Sequence, residues 1–493
     1  MNNTERYKKF TILHSNDMHG DFLEEMQGKG GSLIGGLARL SGYIAKVRQE
    51  EKNVLYAIAG DMLQGSMIDA EYKGISTMEI MNYLAPDVAT LGNHEFEYGL
   101  PHLLFLEKIA NFPIVNANLY IEKYHRRLMK PYHIINIDGF DVMFIGIITD
   151  EVLKELKHDT GVGSFINLAD AAAEVGRICD AYKNDDIDLT ILLTHIGFEE
   201  DKKLAAMLDP IWGVDMILGG HSHTILDQPA QVNGILIAQA GVGTDQIGRF
   251  DIVVDDDTNS IVEWKWQLIP VNETLAKVDV NLKKMIDSYK DVVDKKFNTP
   301  ITRFSNVLTH PTQSSETELG NLFADIMQYR SQADLVLFAS FAIRGTELGP
   351  LLTLGKFLES IPYDDALLKC TLLGSDLKTI WEYLLRPENQ AGAGYFFQVN
   401  KGVELIYNNS LRSLEKFSIQ GAEVENESQY VICLQKYHYE DSTLKHYGLA
   451  MERFTFLGHI QVVATSMRNV YEEYLRSNQN KSSSVEGRIK FIS

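Results

Sequence analysis

Six short apolar runs punctuate the first 270 residues: FTILHS, NVLYAIAG, DVATLG, VMFIGIIT, LTILLTH and DMILGG. Between several of them, the stretches 33–50, 103–110 and 169–182 carry apolar residues at helical spacing. A chain that alternates buried-strand runs with amphipathic helices reads as an α/β protein built on a largely buried sheet. The segment GRFDIVVDDDTNSIVEWKWQLIPV then reads as a β-hairpin that closes this domain. Leu282, Met285, Ile286, Tyr289, Val292 and Val293 recur with lysines and aspartates between them. That spacing predicts one amphipathic helix from about 278 to 297, ended by NTP, which serves as a connector. From 301 onward the pattern is again mixed α and β. At 493 residues the chain is too long for one ordinary core, so two domains are expected.

In open α/β sheets, ligand sites lie beyond the carboxyl ends of the strands. Here those ends are unusually polar. FTILHSNDMHGD ends with Asp17 and His19, LYAIAGDMLQGS with Asp61, and TLGNHE with Asn93 and His94. ILLTHIG ends with His195, and MILGGHSHT with His221 and His223. Each fragment alone is an ordinary turn or a hydrogen-bonded loop histidine. Together they form a nitrogen and oxygen donor set without thiolate, which suits Mn, Zn, Fe or Co better than a structural zinc finger. A carboxylate able to bridge, flanked by two ligand sets, is what a two-metal hydrolytic centre requires. Asp61 can bridge, with Asp17, His19 and His223 serving one ion and Asn93, His195 and His221 the other.

Composition narrows the alternatives. A net charge of −21 argues against a binder of nucleic-acid backbones, which needs a basic face. Cys179, Cys370 and Cys433 are far apart and odd in number, so they suggest neither a disulfide framework nor a cysteine zinc motif. No run reaches 18 apolar residues, and no apolar leader follows Lys8 and Lys9. On the sequence as given the expected location is cytoplasmic, or secreted or cell-surface if a leader was removed. The oligomeric state is left open.

In their order along the chain, Asp-x-His, Gly-Asp, Gly-Asn-His-Glu, a lone His and Gly-His-x-His resemble the calcineurin-like metallophosphoesterases. LHSNDMHGD and LGNHEFEYG narrow the resemblance to the 5'-nucleotidase family. ETELGNLFADIM and LGSDLKTIWEYLL resemble parts of that family's C-terminal domain, so the resemblance covers nearly the whole chain. It implies a four-layer αββα metallophosphoesterase sandwich over 1–274, a connector helix over 275–300, and a smaller α+β C-terminal domain over 301–493 that binds substrate. It also implies two divalent cations and a small-molecule phosphate ester, a nucleotide, as substrate. His94 is then not a ligand but faces the substrate phosphate, stabilising charge or protonating the leaving oxygen. The family places an Asp three residues after this His; here the position is Glu97, one methylene longer, so a dyad of altered geometry is expected.

In the C-terminal domain of the family a base stacks between two aromatic rings. Pro362-Tyr363-Asp364-Asp365 stands where the family has Pro-Phe-Gly-Asn, and Tyr437 offers the second ring. Stacking tolerates either ring type. ASFAIRG keeps Arg344 but loses the Asn and glycines of the family motif, and Asp441-Ser442-Thr443 replaces a Gly-Gly-Asp loop. The reading is therefore a metal-dependent phosphoric ester hydrolase, 5'-nucleotidase-like. A 2',3'-cyclic nucleotide phosphodiesterase, a nucleotide-sugar or dinucleotide pyrophosphatase, and a non-catalytic nucleotide-binding protein are the alternatives.

Overall fold

The computed structural model describes residues 6–26, 32–121, 126–149, 164–165, 167–390, 396–440 and 460–493. The chain divides into two compact units, Met1–Val293 and Asp294–Ser493. The boundary falls inside the helix Val280–Phe297. No helix among the described residues is long and apolar enough to cross a membrane.

In the first unit, six strands form one sheet in the order Ser260–Pro270, Gln246–Asp255, Tyr7–Ser15, Val54–Ala59, Val88–Thr90, Ile114–Val115. Six more form a second sheet in the order Ala230–Val232, Ile235–Ala238, Val214–Leu218, Leu189–His195, Phe140–Ile148, Tyr132–Ile137. The central strands of each sheet run parallel. Their apolar runs are continuous because both faces are covered. Phe10, Ile12, Leu55 and Val88 of one sheet share a core with Val142, Phe144, Ile191 and Met216 of the other. The alternate residues Met143, Ile145, Ile147, Leu192 and Ile217 pack outward against Ala171, Val175, Ile178 and Leu204. Those residues come from the helices Leu168–Ala181 and Phe198–Met207. The helix Leu37–Glu50 covers the first sheet at Val54–Ala59. These are the four layers, helix, sheet, sheet, helix, that the family resemblance implies.

One predicted helix is corrected. The stretch 33–50 is not helical throughout: Leu33–Gly35 is a strand paired with Glu24–Met26, and the helix begins after Gly36. Gly35 and Gly36 have φ of +73° and +88°, left-handed values that an α-helix cannot carry. The predicted hairpin forms with Phe250 opposite Trp266.

His14 lies between the two sheets, its ring 5.9 Å from that of Trp266. It is buried, and neither ring nitrogen has a hydrogen-bond partner. Burial lowers its pKa to about 4, with Asn16 close enough to oppose the shift slightly. The folded state therefore binds this proton more weakly than the unfolded chain, whose value is near 6.5. The stability tied to a neutral His14 is complete above pH 6.5 and is lost as pH falls toward 4, by about 3 kcal/mol in total. In urea unfolding at pH 7, 5 and 4, His14→Phe should lose less stability on acidification than the wild type. Parallel losses would show that His14 plays no part.

The second unit has a five-stranded sheet, in the order Phe397–Gln398, Leu335–Ala339, Gln429–Gln435, Leu367–Leu373, Gln461–Ala464. Helices Glu318–Ser331 and Met467–Ser477 bring Phe323, Met327 and Tyr471 against Val336 and Phe338 on one face. Trp381 and Ile380 of Gly374–Leu384 pack on the other side with Leu337, Leu405 and Tyr407. Leu405 and Tyr407 belong to a further four-stranded sheet.

Candidate metal centre

The strands Tyr7–Ser15, Val54–Ala59 and Val88–Thr90 end side by side, as do Leu189–His195 and Val214–Leu218. The turns that follow carry six of the seven candidate ligands, and the seventh, His195, is the last residue of its strand. Asp17, His19, Asp61, His221 and His223 all have positive φ, between +49° and +79°. Non-glycine residues rarely adopt this conformation, and it persists only where the surroundings enforce it. The enforcement is visible in the backbone. The amide of Asp17 donates to the Gly60 carbonyl at 3.1 Å, that of His19 to Asp61 at 2.9 Å, and that of Gly243 to Asp17 at 2.8 Å. The loops approach so closely that a Cβ on Gly220 would lie 2.7 Å from the Ala59 oxygen and 2.9 Å from His195 Nδ1.

The seven side chains converge. His195 Nε2 lies 3.0 Å from Asp61 Oδ2 and 3.2 Å from Asn93 Oδ1. His221 Nδ1 is 2.9 Å from the same Asn93 oxygen. On the other side, His223 Nε2 is 3.4 Å from Asp17 Oδ1 and 3.2 Å from His19 Nε2, which is 3.9 Å from Asp61 Oδ2. Asp17, Asp61 and His195 are buried, whereas His223 and His94 border the open side.

The tautomers decide what these contacts are. His195 Nδ1 donates to the Ala59 carbonyl at 2.8 Å, and His19 Nδ1 to the Gln64 carbonyl at 3.1 Å. A carbonyl can only accept, so each ring keeps its proton on Nδ1 and turns the Nε2 lone pair inward. Inward they meet carboxylates and the Asn93 oxygen, which only accept, and the His223 ring. Lone pairs aimed at one another within 4 Å fit a cation between them, and the donors are the nitrogen and oxygen atoms such a cation takes. Electrostatics favour positive charge at the same point: burial opposes it on His195, yet the Asp61 and Asp17 carboxylates outweigh burial and raise the ring's pKa, so Nε2 holds either a proton shared with Asp61 or, in its place, a cation. Among the described residues, three groups meet the geometry for holding an ion: Asp17, His19 and His223; Asp17, Asp61 and His195; and His19, Asp61 and His94.

His94 opens the short helical turn His94–Phe96. Its amide donates to Asp61 Oδ1 at 2.9 Å. Its Nδ1 is hydrogen-bonded to Glu97 Oε1, so the longer carboxylate does reach the ring. That bond, against partial burial, pushes the His94 pKa up to about 9. Nε2 is left facing the cluster, 4.0 Å from Asp61 Oδ2.

Sequence reasoning passes over Glu95. It is buried and accepts from four backbone amides: Asp61 at 2.9 Å, Met62 at 2.7 Å, Leu63 at 3.2 Å and Gly92 at 2.5 Å. It thereby clamps the Asp61 turn to the Asn93 turn. Burial and the nearby Asp61 charge raise its pKa, and the amides oppose them. Its one signal in the chain is the Glu of Gly-Asn-His-Glu, to which spacing alone gives no role. Asp201 likewise underlies the His195 strand, accepting from Thr194 Oγ1 at 2.6 Å and Gln239 Nε2 at 3.0 Å.

The remaining candidates lie in the second unit. Arg344 Nη2 donates to the Tyr363 hydroxyl at 2.9 Å, with the guanidinium 5.5 Å from the ring centre. Asp365 Oδ2 accepts the Tyr437 amide at 2.7 Å, which brings the Tyr363 loop beside Tyr437. Both rings are half exposed, at 52% and 51%. Asp364 Oδ1 accepts the Arg468 amide at 3.1 Å, so the two aspartates replacing Gly-Asn serve as loop anchors. Asp441-Ser442-Thr443 lies outside the described residues.

Residues 10–224 match the calcineurin-like phosphoesterase family model, and 297–444 match that of the 5'-nucleotidase C-terminal domain. A 5'-nucleotidase-related protein of Glossina morsitans morsitans is 30% identical over 447 residues, 81% of this chain and 79% of that protein. The chain belongs to the 5'-nucleotidase family. It is a metallophosphoesterase, a hydrolase of a family that acts on nucleotides and whose chemistry implies divalent metal ions. Endonuclease YhcR of Bacillus subtilis is 25% identical over 97% of this chain, which spans only 40% of that longer protein. In fold, the crystal structure of a 5'-nucleotidase precursor from Thermus thermophilus is similar over 99% of this chain and 100% of that one, with a TM-score of 0.61 at 23% identity.

Proposed function

We propose that this 5'-nucleotidase family member releases phosphate from nucleoside 5'-monophosphates or closely similar monoesters, at a centre for two divalent cations. The observation that carries this reading is the set of inward lone pairs on His19, His195 and their neighbours, beside a His94–Glu97 dyad on the open side. Asp17, His19 and His223 would hold one ion, Asn93, His195 and His221 the other, and Asp61 both. Mn, Zn, Fe and Co all suit this donor set. Bound there, divalent cations supply activation of water and neutralisation of phosphoryl charge.

The chain's own residues do the rest. His94, held by Glu97 through Nδ1, presents Nε2 to the phosphate, where a cationic ring offsets transition-state charge or gives its proton to the leaving oxygen. Glu95 fixes the Asp61 and Asn93 turns, so the charges need not reorganise during the reaction. Arg344, Tyr363 and Tyr437 would take the nucleoside, the rings by stacking and Arg344 by its charge or plane.

Hydrolysis should be measured with Mn²⁺-loaded protein, by phosphate release from p-nitrophenyl phosphate, nucleoside 5'-monophosphates and sugar phosphates, and by chromatography of the organic products from 2',3'-cyclic nucleotides and nucleotide sugars, whose cleavage frees no phosphate. Turnover of the 5'-monophosphates, abolished by a chelator, is expected. Preferential cleavage of the cyclic or pyrophosphate substrates would move the assignment to a diesterase or pyrophosphatase. Folded, loaded protein that turns over none of them would leave a binding protein.

A further inference from the structure

Asp69, in the helix Met67–Tyr72, is fully buried, and among the described residues it forms no ion pair with Lys or Arg. Its carboxylate is nonetheless well occupied. Oδ2 accepts from the Gln64 amide at 3.0 Å and from the Tyr98 hydroxyl at 2.9 Å, and Oδ1 accepts from Thr77 Oγ1. Gln64 has a left-handed φ of +66°, and its carbonyl accepts from His19 Nδ1 at 3.1 Å. Tyr98 directly follows Glu97, the residue that holds His94. One carboxylate thus connects two loops that are 34 residues apart at Gln64 and Tyr98. Burial and the Asp69 charge both raise the Tyr98 pKa, which keeps the hydroxyl a donor.

We propose that Asp69 and Tyr98 are positioning residues for the hydrolytic reaction: through the Gln64 carbonyl they orient His19 and select its tautomer, and through Tyr98 they seat the His94–Glu97 turn against the same loop. The proposal rests on the reading of His19 as a metal ligand and His94 as the group facing phosphate. Neither Asp69 nor Tyr98 is assigned contact with substrate or ion. They act by setting which nitrogen of His19 carries the proton and where the His94 turn sits. A carbonyl or carboxylate behind a ligating histidine has this effect on ligand basicity and direction. The surrounding packing leaves the loop little freedom, since a Cβ on Gly20 would lie 3.0 Å from Ser66 Oγ and 3.3 Å from Asp69 Cβ.

Tyr98→Phe tests this, because it removes one hydroxyl and keeps the ring. The expected result is a fall of about 10-fold in kcat with KM little changed, and about 10-fold weaker Mn²⁺ binding at one of two sites by calorimetry on metal-free protein. The thermal midpoint of the metal-free protein should change little. Asp69→Asn should show the same pattern more strongly, and Tyr98→Phe stands alone if that variant fails to fold. Wild type that binds two ions and turns over, beside a Tyr98→Phe variant with unchanged kcat and Mn²⁺ affinity, overturns the positioning role alone. A lowered thermal midpoint with both of those unchanged does the same, since it marks a purely structural bond. Wild type that neither binds two ions nor hydrolyses phosphate overturns the proposed function, and this inference with it.

Discussion

Asp61→Asn is expected to reduce turnover on the order of 10³-fold and to lower bound metal below two ions per chain, the scale of losing a preorganised electrostatic stabiliser. The substitution keeps the shape of the side chain and removes its charge. Asp61 reaches both halves of the cluster: Oδ2 is 3.0 Å from His195 Nε2 and 3.9 Å from His19 Nε2. Its other oxygen is fixed by the His94 amide at 2.9 Å, so the carboxylate cannot turn toward solvent. Burial alone would raise its pKa, yet His195 and His94 outweigh burial and hold it ionised. A neutral amide leaves the inward lone pairs of His195 and His19 without their shared anion, so two cations would lie close together with less charge between them. Metal content by mass spectrometry and kcat on p-nitrophenyl phosphate check this together. An Asn variant with two ions and near-normal kcat would remove the bridging role.

Much of this arrangement is legible in the chain because strand ends are local. Each apolar run marks where a buried strand stops, and the parallel order of Tyr7–Ser15, Val54–Ala59 and Val88–Thr90 then brings Asp17, Asp61 and Asn93 together. Helical spacing likewise places Leu168–Ala181 and Val280–Phe297 within two residues at each end. The errors arise where tertiary structure decides. Leu33–Gly35 is apolar enough to read as a helix start, but two left-handed glycines and pairing with Glu24–Met26 make it a strand. Glu95 shows no purpose along the chain, because three of the four amides it accepts from belong to a turn more than 30 residues earlier. Asp69 is hidden for the same reason: its partners Gln64 and Tyr98 lie on separate loops. Positive φ at five candidate ligands cannot be read from residue identity, since Asp and His enter the left-handed region more often than most residues but still only in a small minority of their positions.

His94→Ala should lower kcat by about 10²–10⁴-fold, the range for a positioned proton donor, while leaving metal content near that of the wild type. The second half of that expectation separates two roles, because His94 Nε2 also lies within reach of Asp61 and His19 in a geometry that could hold an ion. Loss of an ion in the alanine variant would make His94 a ligand. Glu97 is expected to act only through His94: it bonds Nδ1, steers Nε2 toward the site and favours the protonated ring. Bound cations would oppose that protonation, so the carboxylate has more to offset in the loaded enzyme than in the metal-free one. Glu97→Gln, which keeps a bond to Nδ1 but loses the charge, should therefore cost about 10-fold in kcat, within the range for outer-shell partners. The double variant is the sharper measurement. If Glu97 serves the ring alone, adding Glu97→Gln to His94→Ala should cost almost nothing more, as for residues that work as a unit. Fully multiplicative losses would instead give Glu97 a role of its own at the phosphate.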